Sequence, residues 1–150
     1  MCRSRSPLGV RSCTISPMGD GRAWSLFEQL VSADPVALSD DQRSLVALGF
    51  VRQEVNSGGF DRYFRYPYGD SAETARETAR SVGCEPLAVL IERGIDRIGL
   101  TPYPRDAEVR EAQIDDGDIE FDDLDDSFFK LEADTDLDGF MDAIAERMPN

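Results

Sequence analysis

The residues of this chain that could do chemistry are carboxylates. Between positions 115 and 126 the segment DDGDIEFDDLDD places eight of them in twelve positions: Asp115, Asp116, Asp118, Glu120, Asp122, Asp123, Asp125 and Asp126. Carboxylates at such density can ligate hard cations, act as paired acids and bases, or present a negative surface to a cationic partner. The sequence contains no histidine, which removes Ser–His and Cys–His nucleophile pairs and the common zinc sites together. Cys2, Cys13 and Cys84 form an odd set with no C-x-x-C spacing. They indicate neither a disulfide framework nor a thiolate metal centre, and a cytoplasmic location fits them best. GDGRAW begins like a dinucleotide fingerprint but places Trp24 where a third small residue must sit. No pair of acids is singled out for catalysis, so the expectation is a chain without enzymatic activity, cofactor or metal.

One cation motif competes with that expectation. DTDLDG, residues 134–139, copies the opening of a calcium-binding EF loop, with oxygen ligands at alternate positions and a glycine for the sharp turn. Counting Asp134 as the first position, the twelfth must be a bidentate glutamate, and it is Ala145, with Glu146 one place late. Leu137, Phe140, Met141 and Ile144 also fit a helix beginning near Asp134, whose carboxylates suit the positive end of that helix. A calcium module at 134–145 is therefore the weaker alternative.

The charge is unevenly distributed. The net value is −14, and residues 115–150 supply most of it, with fourteen acids against Lys130 and Arg147. Such a block repels DNA, RNA and anionic membranes and suits a basic protein surface. Residues 1–22 are Arg- and Ser-rich, without an apolar segment of signal-peptide length. They read as a disordered basic tail, or as sequence upstream of a true start at Met18, preceding a domain over residues 23–150.

The elements that must position the acids are helices. Trp24, Phe27, Leu30 and Val31 suggest a first short one. Ser39 with Gln42 forms a capping box ahead of Leu45, Leu48, Val51 and Val55 at helical spacing. Asn56, Ser57 and Gly58 supply stop chemistry. Asp70 with Glu73 is expected to cap the next helix, which carries Ala72, Ala75, Ala79 and Val82 on one face. Pro86 opens another, with Leu87, Leu90, Ile91, Ile95 and Ile98 as its apolar side. A polar helix runs from Pro104 towards Ile114. Phe121, Leu124, Phe128 and Leu131 then share a stripe, so the acids between them project from an ordered helix face. A last helix carries Leu137, Phe140, Met141, Ile144 and Met148. With no sustained strand alternation, the fold class is all-α, a compact single-domain bundle of about seven or eight short helices.

The connector VNSGGFDRYFRYPYGD, residues 55–70, crowds Phe60, Tyr63, Phe64, Tyr66 and Tyr68 behind two glycines. Phe60, Tyr63 and Phe64 at i, i+3 and i+4 make one turn with an apolar face, which reads as a buried corner in preference to a ligand cage. Together with the helix before it, this stretch resembles the signature of the all-helical DNA-mimic protein family, E-V-N-x-G-G-F followed by aromatics and a glycine. Glu54, Val55, Asn56, Gly58, Gly59, Phe60, Tyr63, Phe64 and Gly69 occupy those positions. FDDLDDSFFKLE is similar to the family's late acidic motif, through Leu124, Asp125, Phe128, Phe129, Leu131 and Glu132. The resemblance covers roughly residues 24–148 and leaves the basic tail outside.

The resemblance implies a dimer whose acidic surface imitates DNA and engages a helix-turn-helix regulator, with no direct binding of nucleic acid or membrane. The signature residues themselves are packing and turn residues, so they carry the fold further than the activity. Mimicry rests on the acids of 115–126. Duplex DNA carries one negative charge per ~1.7 Å of axis. Along a helix rising ~1.5 Å per residue, Asp122, Asp125 and Asp126 stand roughly 4.5–6 Å apart. An inhibitor of a basic toxin or nuclease would use the same surface and is the second expectation.

Overall fold

The computed structural model describes residues 21–148. The tail assigned to residues 1–22 lies outside them as far as residue 20, and Arg22 already opens the first helix. Seven α-helices and no strand occur among the described residues: α1 (Arg22–Leu30), α2 (Asp40–Arg65), α3 (Ala72–Ser81), α4 (Glu85–Ile98), α5 (Ala107–Gly117), α6 (Asp122–Asp134) and α7 (Leu137–Glu146). Short 3-10 turns at Pro35–Ala37 and Pro67–Ser71 join α1 to α2 and α2 to α3. The all-α class read from the periodicities is the class observed. None of these helices is long and apolar enough to cross a membrane.

The centre is α2. The expected capping box forms at its start, where Ser39 Oγ accepts from Gln42 N at 3.2 Å and Gln42 Oε1 accepts from Ser39 N at 2.8 Å. Helices α1, α3, α5, α6 and α7 pack on it, while α4 lies against α3, α5 and α6. Leu45, Leu48, Val51 and Val55 are buried in the same core as Leu87, Ile91 and Ile98 of α4 and Leu137, Met141 and Ile144 of α7. The alanine face of α3 is buried as its spacing requires, which lets α3 approach both α2 and α4 closely.

The chain does not leave helical geometry for good at Asn56–Gly58. It breaks at Gly58 and Gly59 and resumes with Phe60, so that α2 is two helical segments about a kink. Two further expectations are corrected. Asp70 does not cap α3; its carboxylate accepts instead from Arg110 Nη2 at 2.9 Å, and the capping position falls to Ser71 without a side-chain bond. The last helix begins at Leu137, since Asp134 still belongs to α6 and Asp136 occupies the capping position between them.

Arg110 explains how the aromatic corner is fixed. Its guanidinium is buried and donates to the carbonyls of Phe64, Tyr66 and Pro104 at 2.8, 2.8 and 2.9 Å, besides Asp70. A charge taken out of water needs such complete pairing, because an unpaired buried cation costs several kcal/mol, on the order of the whole stability of a small domain. Tyr103 adds a hydrogen bond from its hydroxyl to Gly69 O at 2.6 Å. The 55–70 stretch is thereby held as a rigid corner.

Candidate acidic docking surface

The eight acids of the sequence motif fall at one corner of the fold, where α5 ends and α6 begins. Asp115 and Asp116 sit in the last turn of α5, and Asp118 closes it in the left-handed conformation at φ 49°. Asp122, Asp123 and Asp125 occupy the first turn of α6, and Glu120 stands exposed between the helices. The helix dipole treats the two groups oppositely. Acids at the N-terminal end of α6 are favoured, whereas those at the C-terminal end of α5 face carbonyls of like polarity, at roughly 0.3–1 kcal/mol each. No basic residue lies in the last turn of α5.

Three of the eight have intramolecular tasks. Asp115 accepts from Arg65 Nη1 at 2.9 Å. Asp123 receives both terminal nitrogens of Arg97, at 2.7 and 2.6 Å, and these bonds hold its carboxyl down at about 2. Asp125 is half-buried against the α2 kink, and its Oδ1 accepts from the backbone N–H of Phe60 at 2.8 Å. Burial pushes the Asp125 carboxyl above its ordinary value, the Phe60 bond works against this, and the negative charges of Asp122, Asp126 and Asp61 add to the rise. The other five, Asp116, Asp118, Glu120, Asp122 and Asp126, are exposed and have no ion pair among the described residues.

The surface extends beyond the sequence motif, since Asp61 directly follows Phe60, whose amide donates to Asp125. Asp61 lies on the second segment of α2, and Arg65 one turn later contacts Asp61, Glu111 and Asp115 at 2.9, 3.7 and 2.9 Å. Carboxylates from α2, α5 and α6 thus adjoin, with Arg65 seated among three of them. Asp61 and Glu111 escaped the sequence reading because each is locally an ordinary helix-surface acid; only tertiary placement adds them to the group.

The aromatic stretch forms a mount for α6. Gly59 has φ 78° and ψ 178°, and a Cβ there would lie 2.4 Å from Asp125 Oδ2. This bare backbone is what admits the carboxylate to the Phe60 amide. Phe60, Tyr63 and Phe64 are fully buried, with Phe121 stacked on Phe64 at 5.3 Å and Phe128 edge-on to Phe60 at 6.0 Å. Asn56 donates to Arg52 O at 2.7 Å and to Glu132 Oε2 at 3.0 Å, joining α2 to the far end of α6. Glu54 is buried and accepts from Arg62 Nε at 2.7 Å, and Gly69 receives the Tyr103 hydroxyl. The two motifs quoted from opposite halves of the sequence therefore meet through Asp125–Phe60 and Glu132–Asn56.

The calcium-like segment has other work. Asp138 accepts from Arg52 Nη1 at 2.6 Å and from Trp24 Nε1 at 2.9 Å; burial opposes its ionised form, yet these bonds bring its carboxyl below the ordinary range. Asp136 accepts from Gly139 N at 3.1 Å as a helix cap, and Asp134 ends α6. Arg52 also holds Glu132 through two bonds, at 2.9 and 2.7 Å. It clamps α1, α2, α6 and α7 together, a role that helical periodicity does not assign to an arginine. Among the described residues no group of three or more His, Cys, Asp or Glu is arranged to hold a metal ion.

A family model described as DMP19-like protein matches residues 36–147 of the chain. Comparison with curated proteins and with solved structures returns no match. The matched span contains the whole of α2 to α7, and so both the aromatic mount and the acidic corner.

Proposed function

Since the chain belongs to the DMP19-like family, we propose that it is a non-catalytic acidic docking domain whose α5–α6 corner stands in for duplex DNA towards a DNA-binding protein, such as a helix-turn-helix regulator. The observation that carries this reading is the division among the acids. Asp115, Asp123 and Asp125 are used to build the corner, while Asp116, Asp118, Glu120, Asp122 and Asp126 remain exposed and without an ion pair among the described residues. Crowding them costs stability through mutual repulsion, and two of them sit at the disfavoured end of a helix. A surface maintained against these costs is explained by a cation that comes from outside.

The aromatic mount supplies what mimicry needs beyond charge. Phosphates in a duplex stand at fixed spacing, so their substitutes must be carried on a rigid body to gain from complementarity. Phe121 and Phe128 anchor α6 on Phe64 and Phe60, and Asp125 ties its first turn to the kink. The protein's side of the interface is then preorganised.

The test is a variant in which the five unpaired acids become amides: D116N, D118N, E120Q, D122N and D126N. The immobilised wild-type chain retains a basic partner from native extract at low salt, and the variant does not, while its circular dichroism and melting temperature stay at or above those of the wild type. A folded variant that retains the partner undiminished refutes the reading.

A further inference from the structure

The side of α6 that faces α4 carries a different feature. Pro86, Val89 and Leu90 of α4 and Leu131 of α6 form the apolar floor of a groove of about 630 Å³. Arg93 from α4 and Lys130 from α6 line the same groove. In a chain of net charge −14, nearly every arginine among the described residues is engaged by a carboxylate, yet Arg93 and Lys130 have none within ion-pair distance. Both side chains are exposed. Lys130 is moreover the only lysine in the sequence.

Neighbouring charges on α4 are already paired. Arg97 and Asp123 pair at 2.6 Å beyond Arg93, and Glu85 at the opposite end of α4 pairs with Arg80 at 3.0 Å. Two carboxylates line the groove as well, Glu85, which Arg80 engages, and Asp134, one turn beyond Lys130 and exposed; two cations without an ion pair therefore stand over the apolar floor against one such carboxylate. Such a combination fits a ligand with an apolar body and one anionic head, and the volume lies within the range usual for small-molecule sites, about 300–1,000 Å³. The basic N-terminal segment has the wrong charge to occupy it. An acidic polymer would bring many charges into the protein's negative field, whereas a single carboxylate meets that repulsion once.

We propose that the α4–α6 groove is a binding site for a small amphipathic carboxylate, its hydrocarbon chain on Val89, Leu90 and Leu131 and its head received by Lys130 and Arg93. The site is independent of the acidic corner. Charge-assisted hydrogen bonds of this kind are strong enough that losing one weakens binding by about tenfold or more.

The experiment is calorimetric titration of the full chain with decanoate and with decanol, repeated on Lys130→Gln and Arg93→Gln. Both substitutions are on exposed side chains, so the fold is retained. Saturable decanoate binding, at least tenfold tighter than decanol and weakened about tenfold in each variant, supports the site. Absence of decanoate binding up to millimolar concentration overturns it, and so does binding that both variants leave unchanged. Sedimentation of the same proteins provides the remaining outcome: if Lys130→Gln dissociates a self-associated wild type, the groove is filled by a second copy and the proposal falls.

Discussion

Replacing Gly59 with alanine is the sharpest probe of how the acidic corner is held. At φ 78° and ψ 178° Gly59 occupies backbone space that is essentially closed to other residues, at a cost of about 1–3 kcal/mol for any side chain. A Cβ would also lie 2.4 Å from Asp125 Oδ2, so the carboxylate must withdraw from the Phe60 amide. Losing that charge-assisted, half-buried hydrogen bond costs about 1.5–3 kcal/mol more. The expected total is roughly 2.5–6 kcal/mol. For a domain of this size that lowers the melting temperature by about 10–20 °C. Gly58→Ala is the internal control. Its Cβ would meet Arg62, with Cδ at 2.7 Å and Cβ at 3.0 Å, so this variant disturbs the Arg62–Glu54 pair but leaves the Asp125–Phe60 contact in place. Urea unfolding of both variants, with m-values compared to the wild type, separates the two. If Gly59→Ala is destabilised no more than Gly58→Ala, the kink does not secure α6 as described.

Further expectations follow from the same contacts. Asp125→Ala destabilises by about 1–3 kcal/mol because the Phe60 amide loses its partner, whereas Asp126→Asn leaves the unfolding midpoint unchanged or raises it, and Asp122→Asn, which relieves repulsion but gives up a favourable place in the first turn of α6, changes it less than Asp125→Ala does. Asp123, lowered to about 2 by Arg97, contributes stability present above the ordinary carboxylate range and lost as pH falls towards about 2. Arg97→Gln should remove that part of the acid dependence in a pH series of unfolding midpoints. The raised Asp125 acts in the opposite sense: its contribution is fully present below the ordinary aspartate value and is lost as pH rises through the raised one, a trend that Asp125→Asn abolishes. Moderate salt should raise the melting temperature of the wild type by screening the corner, and less so in the five-amide variant. Calcium should stabilise no more than magnesium at equal concentration, since Asp136 and Asp138 are committed to Gly139, Arg52 and Trp24.

What was legible in the sequence is what helical periodicity and local capping encode. The Ser39–Gln42 box, the α4 face from Leu87 to Ile98 and the buried stripe through Phe121, Leu124 and Phe128 are all present. The 55–70 aromatics form a corner because their spacing allows a single buried turn after a break. What local pattern could not encode is tertiary pairing. Asp70 satisfies the capping pattern for α3, but a buried Arg110 reaches it from 40 residues away in sequence and takes it for the corner. Asp134 suits a helix start by charge, yet α6 runs on to include it. In the acidic run every aspartate reads alike, although one is anchored to Phe60, one to Arg97 and one to Arg65. Arg52 and Arg110 are invisible to a pattern that places arginine outside.

The proposed imitation of DNA is tested most directly by competition. The wild-type chain is immobilised, loaded with native extract at low salt, and eluted with duplex DNA at constant ionic strength. Release of a DNA-binding protein by the duplex, and its failure to be retained by the five-amide variant, is the expected result. A partner that withstands duplex DNA yet is lost from the variant contradicts mimicry and assigns the surface to inhibition of a basic protein that does not read DNA.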